Sequence, residues 1–177
     1  MRKLKLVQIE IIGAVFGSFA GAADHFFYDR TQWIWASVIA PINESPWEHL
    51  KLYFFPVTFF MIVEWFWVEN KRKLLFAKTA QVVLGAAFIL GFFYAYTAVF
   101  PDNALVDIVS FFVAMIGGYW LSYRILKGSY EPKLPSWAWV VALLLIFSVF
   151  QYATWKPPHV VLFQDTETKA FGINRRL

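Results

Sequence analysis

The chain contains no cysteine. That excludes a disulfide framework and any thiolate metal centre, and it removes the usual clue to redox compartment. Charge is scarce too. Asp, Glu, Lys and Arg make up 16% of the 177 residues, where a soluble domain carries roughly a quarter. A glycine-rich nucleotide loop, a nucleophile elbow and the His-Glu-x-x-His helix of metalloproteases are also missing. The basic residues are dispersed and form no aromatic-basic stripe, so nucleic acid is not an expected partner.

Apolar surface is what the chain has in excess, at 59% hydrophobic and 21% aromatic residues. One soluble core of this size cannot hide so much, so the chain reads as an integral membrane protein with lipids as its first partners. A spanning helix needs ~20 mostly apolar residues. Five stretches qualify, at about 4–27, 46–68, 75–100, 103–123 and 136–155. The expected fold class is therefore all-α integral membrane: five transmembrane helices in a single domain, residues 1–177. The piece at about 31–41 is too short to cross, and Trp33 and Trp35 suit the headgroup zone, so it is expected to lie at the interface. The first stretch, with its basic start and small residues near Ala20–Ala23, has the form of a signal peptide. Gln8 and Glu10 interrupt its apolar run and further spans follow, so a retained first span is expected.

The loops orient the spans. Arg2, Lys3 and Lys5 precede the first span, Lys71–Lys73 follow the second, and Arg124, Lys127 and Lys133 separate the fourth from the fifth. The turn after the third, Pro101–Asp107, has no Lys or Arg. The positive-inside rule then gives a multi-pass protein of the plasma membrane, N-terminus cytoplasmic and C-terminus outside. Within the first span Gly13, Gly17 and Gly21 recur every four residues. Such a stripe lets helix backbones approach closely, and internal packing is the expected use, with a homo-oligomer contact left open. Glu64 is expected to answer the Lys71–Lys73 cluster or to snorkel, and Pro56 to bend the second span.

With that orientation all three histidines fall on the outer side: His25 ends the first span, His49 begins the second and His159 follows the fifth. Imidazole suits zinc, so these three are the expected ligands, with an open fourth position for water. Ligation of a haem by His25 and His49 is a further option. Glu48 and Asp29 are the expected general base or ligand-orienting groups. Ser45-Pro46-Trp47-Glu48 fits a capping box, with Ser45 at the N-cap and Glu48 folding back to the Ser45 backbone N–H. His49 stays open between a metal ligand and an interfacial hydrogen bond. The tail, stiffened by Pro157 and Pro158 and then apolar, is expected to fold back over the outer mouth, carrying His159 and Asp165 toward His25 and His49.

Three stretches, "HFFYD", "NESPWEHLKLYFFP" and "PPHVVLFQDTETKAFG", together resemble a family of small multi-pass bacterial membrane proteins that carries only a domain-of-unknown-function label. Asn43, Glu44, Ser45, Trp47, Glu48, His49, Leu50 and Lys51 take its motif positions. Pro157, Pro158, His159 and Asp165 take those of its tail. The resemblance brings no activity. Ser45 and His49 also have the Ser-x-x-x-His spacing of membrane metallohydrolases such as alkaline ceramidases. The chain departs from these in lacking their His-x-x-x-His pair and their seven spans. The expected function is an outward-facing His/carboxylate site, in the form of a zinc-dependent hydrolase acting on a lipid or amphiphile. The alternatives are a membrane carrier, a binding protein, or a structural subunit whose polar motif docks the tail.

Overall fold

A computed structural model of the protein describes residues 5–173, and the backbone alone for Asp29. The elements in chain order are α1 (Leu6–Asp24), α2 (Phe27–Thr31), a 3-10 turn (Ile34–Val38), α3 (Pro46–His49), α4 (Lys51–Glu64), α5 (Lys71–Thr97), α6 (Ala104–Lys127), α7 (Ser136–Trp155) and a second 3-10 turn (Val161–Phe163). The described residues hold no strand, only one isolated antiparallel bridge between Gln164 and Phe171.

Local chemistry sets the helix starts. Asn70 Oδ1 accepts from the Lys73 N–H at 3.0 Å to begin α5. Asn103 Oδ1 accepts from Leu105 and Val106 to begin α6. Each side chain satisfies donors that an N-terminal turn otherwise leaves orphaned. Four helices, α1, α5, α6 and α7, are long and apolar enough to cross a membrane. Even the shortest, at 19 residues, spans about 29 Å, which matches the ~30 Å hydrocarbon layer.

The expected second span is a different object. It is broken at Leu50 into α3 and α4, and it stops at Glu64 rather than continuing to Val68. At the break the Leu50 N–H bonds to Trp47 O, three residues back, which tightens the turn. Taken alone, α4 has 14 residues and reaches about 21 Å. Four helices of membrane-crossing length plus a broken central one therefore stand where five equivalent spans were expected.

That short helix is also the most enclosed. Tyr53, Phe54, Phe55, Val57 and Phe60 are all buried, whereas Phe19 of α1, Ile116 of α6 and Leu144 of α7 point outward. α1 packs on α4 and α6, α5 on α4, α6 and α7. Between helices in lipid the gain comes from van der Waals packing and not from water release, so small residues matter. Gly13 faces Phe60 and Tyr119, Gly17 faces Met115, and Gly21 faces Leu52 O and Phe111. The stripe thus lies inside the bundle. Gly21 has a sharper role. Pro56 has no N–H to return to Leu52 O, four residues earlier, and a Cβ on Gly21 would stand 2.5 Å from that same oxygen. α1 closes directly on the carbonyl that proline leaves open.

Candidate functional site

One end of the bundle gathers the histidines. α1 ends at Asp24 and hands over to His25, and α3 begins just after Ser45, so the two imidazoles meet with ring centroids 5.2 Å apart. Ser45 is the N-cap, its Oγ accepting from Glu48 N–H at 3.3 Å. His49 Nδ1 lies 3.0 Å from Ser45 O. A carbonyl only accepts, so Nδ1 carries a hydrogen, and Nε2 is the nitrogen a metal would take in place of the hydrogen that Nε2 donates to Glu44. Nε2 faces Glu44 Oε2 at 3.3 Å.

His25, Glu44 and His49 each bring one ligand atom within 4.8 Å of the others, and all three are half-buried. Zinc bonds of about 2.1 Å in a tetrahedron require donors about 3.4 Å apart, so the Glu44–His49 separation already fits. The Nδ1–H to carbonyl bond of His49 is the orienting contact that metal-bound histidines commonly have. His49, as hydrogen-bond partner, holds the Glu44 carboxyl below the usual carboxylate range, against burial that would raise it.

The tail fixes Glu44 from the far end of the sequence. Asp165 Oδ2 accepts from Glu44 N–H, while Glu44 O accepts from Thr166 N–H and from its hydroxyl at 3.0 Å. Asp165 Oδ1 accepts from Glu167 and Thr168 N–H at 2.8 and 2.7 Å. Burial raises the Asp165 carboxyl, and these backbone donors outweigh it, so the group sits below its ordinary value. Asn43 joins both sides: its Oδ1 accepts from Ser45 N–H, and its Nδ2 donates to Gly172 O at 2.9 Å. Trp47 closes the seam, its ring tilted against Phe150 of α7 and Phe163 of the tail.

Several expected roles move. His159 does not join the cluster; it is exposed and stacks on Phe171 at 4.6 Å. The tail delivers Asp165 to this end, and its grip on Glu44 brings in a carboxylate that the sequence reading named only as a motif position. Glu48 is not poised as a base. It is 2% exposed, and its oxygens accept from Lys51 Nζ at 2.7 Å, Ile42 N–H at 3.2 Å and Thr154 hydroxyl at 2.8 Å. Nor does it cap backwards, because Ser45 N–H goes to Asn43 instead. Lys51, with no exposure at all, also donates to Ser37 O at 2.8 Å and so ties the interfacial segment to the bundle. The side chain of Asp29 lies outside the described residues.

Beside His25, Asp24 stands at one end of an open groove of about 300 Å³ that is otherwise lined by apolar residues, among them Phe16, Phe27, Phe55 and Phe59. The sequence reading missed a second cluster altogether. At the opposite end Lys78 of α5 meets Glu64 of α4 at 2.7 Å and Glu10 of α1 at 3.2 Å. Glu64 therefore does not answer Lys71–Lys73, which turn to backbone carbonyls and to Glu131. The signal was present: three ionisable residues inside apolar helices seldom face lipid.

The family model for a family of unknown function, DUF6512, matches residues 1–173. No curated protein and no solved structure matches the chain. The chain belongs to the DUF6512 family.

Proposed function

We propose that this member of the family is a multi-pass membrane protein that binds a divalent metal, zinc by ligand chemistry, through His25, Glu44 and His49, and uses it to hydrolyse a lipid or amphiphile. The observation that carries the reading is the His49–Glu44 contact. Nε2 stands 3.3 Å from the carboxylate while Nδ1–H is committed to Ser45 O, and His25 completes the set. Three protein ligands leave a fourth position for water, whose pKa a zinc ion lowers to near neutral. The groove that ends at Asp24 supports an amphiphile, its chain along the phenylalanines and its polar head near the metal. In this reading α3 and α4 together make a fifth crossing, and the site faces outside with the N-terminus cytoplasmic.

The grip of Asp165 and Thr166 on Glu44 favours a second reading, in which the polar motif serves only to dock the tail. Elemental analysis of protein purified without chelator separates the two. One zinc per chain is expected in the wild type and in His159→Ala, and none in His25→Ala, Glu44→Gln or His49→Ala. Zinc retained by all three ligand variants would end the metal assignment. Chelator-sensitive release of fatty acid or headgroup from mixed lipid vesicles would then test the hydrolysis.

A further inference from the structure

Glu10, Glu64 and Lys78 sit inside the bundle, and nothing at the histidine end requires them. Glu10 is the fifth residue of α1 and Lys78 the eighth of α5, so the cluster lies about 6–10 Å inside that helix end. All three are almost wholly buried. Burial of ionisable groups at membrane depth is costly unless charges balance and donors match acceptors.

Here neither balances. Two carboxylates share one ammonium, which leaves one negative charge over. Glu10 is satisfied, accepting from Lys78 at 3.2 Å and from Ser122 hydroxyl at 2.9 Å. Lys78 is satisfied too, reaching both carboxylates and Gln81 Oε1 at 3.1 Å, with its ammonium 4.2 Å from the Tyr119 ring centroid. Glu64 has the ammonium alone at Oε1, and Oε2 has no donor among the described residues. The walls hold two more buried polar atoms without partners, Gln81 Nε2 and Tyr119 hydroxyl.

Among the described residues no other charge reaches the gap. α1 contributes Glu10, α4 Glu64, α5 Lys78 and α6 only Tyr119 and Ser122. α7 has no charged residue. Lys73 is committed to Gly128 O and Glu131, and Lys71 to backbone carbonyls. The place between the carboxylates is filled by the Lys78 ammonium, so a metal ion does not fit the imbalance. A proton does.

We propose that Glu10, Glu64 and Lys78 form an intramembrane proton-binding site in which Glu64 carries one exchangeable proton, reached from the helix end where α1 begins. The proton brings the cluster to zero net charge and turns the bare Oε2 from an unsatisfied acceptor into a hydroxyl. The Tyr119 hydroxyl, without a partner among the described residues, can accept from that proton directly or through a water, and the unpartnered Gln81 Nε2 can donate to the same water. The proposal is independent of the metal reading, since the two sites occupy opposite ends of the bundle.

Infrared difference spectroscopy of the full chain in lipid nanodiscs, near neutral pH and without sodium, counts buried protonated carboxyls. The wild type is expected to show one, shifting on exchange into D2O. Glu64→Gln and Glu10→Gln should each show none, because either leaves a single carboxylate matched to Lys78. Lys78→Met should show two. Absence of the band in the wild type, or its survival in both glutamine variants, overturns the proposal. So does a band that vanishes when sodium is added, which would mark a sodium site. Should Lys78→Met fail to fold, the two glutamine variants still decide.

Discussion

The two ends of this bundle use the same kinds of side chain to opposite effect. At the histidine end His25, Glu44 and His49 are half-buried, and Glu44 and His49 are held through backbone groups of a loop and a tail. At the other end Glu10, Glu64 and Lys78 are sealed between four helices and held almost wholly by one another. α4 joins the two. Lys51 begins it and Glu64 ends it, about 20 Å apart. Polar groups positioned by backbone can change partners without loss of the fold, so that end is suited to a ligand. Polar groups that satisfy one another in lipid cannot change partners freely, so they act on stability and on proton balance.

The largest test of this contrast is Lys78→Met. It strands two buried carboxylates and should lower unfolding stability by about 3–5 kcal/mol, less whatever proton uptake recovers. Thermal or denaturant unfolding in detergent reads it. A loss no greater than that of His49→Ala would mean that the two ends do not differ as described.

The middle of the bundle comes next. Tyr53, with no exposure, lies between α5 and α6, its hydroxyl 3.3 Å from both Gln81 O and Ala114 O. A Cβ on Gly118 would stand 2.0 Å from that hydroxyl, and one on Gly85 2.3 Å from the ring. Gly118→Ala should cost about 1–3 kcal/mol by overpacking, and Tyr53→Phe should recover part of it in the double variant.

Of similar size but confined to the tail is Asp165→Asn, which weakens charge-assisted bonds to three backbone N–H groups and should cost about 1.5–3 kcal/mol of tail docking only. Hydrogen exchange should rise over residues 159–172 and leave α5 and α6 unchanged. Loss of protection throughout the bundle would show that the tail is part of the core. The smallest stability effect should be His49→Ala, under about 1 kcal/mol for a half-exposed group, with its loss read in metal content alone.

How much of this was legible before the fold was known differs residue by residue. The apolar runs gave α1, α5, α6 and α7 to within a few residues, because hydropathy and length are local properties. The second stretch was read as one continuous helix and is broken, because the tight turn at Leu50 acts on helix continuity without lowering hydropathy. Ser45 as N-cap was legible from its own tripeptide context. Glu48 was not. Its partners Lys51, Ile42 and Thr154 decide what it does, and Thr154 is 106 residues away.

The pairing of His25 with His49 followed from two helix ends expected at one end of the bundle. Exchange of Glu44 for His159 did not follow. It depends on the direction in which the 43–44 loop is held by Asp165, Thr166 and Gly172. The charges of Glu10, Glu64 and Lys78 could be seen in the sequence, yet their meeting could not, since three helices had to turn the same faces inward at the same depth.

The sequence by itself determined that this chain has helices long and apolar enough to cross a membrane, where they run, and which ends carry polar groups, because each of these is a sum over neighbouring residues. Only the tertiary structure decided which polar groups touch. In lipid the helix faces are nearly equivalent in hydropathy, and shape decides between them: Gly21 against Leu52 O, and Gly85 and Gly118 around Tyr53.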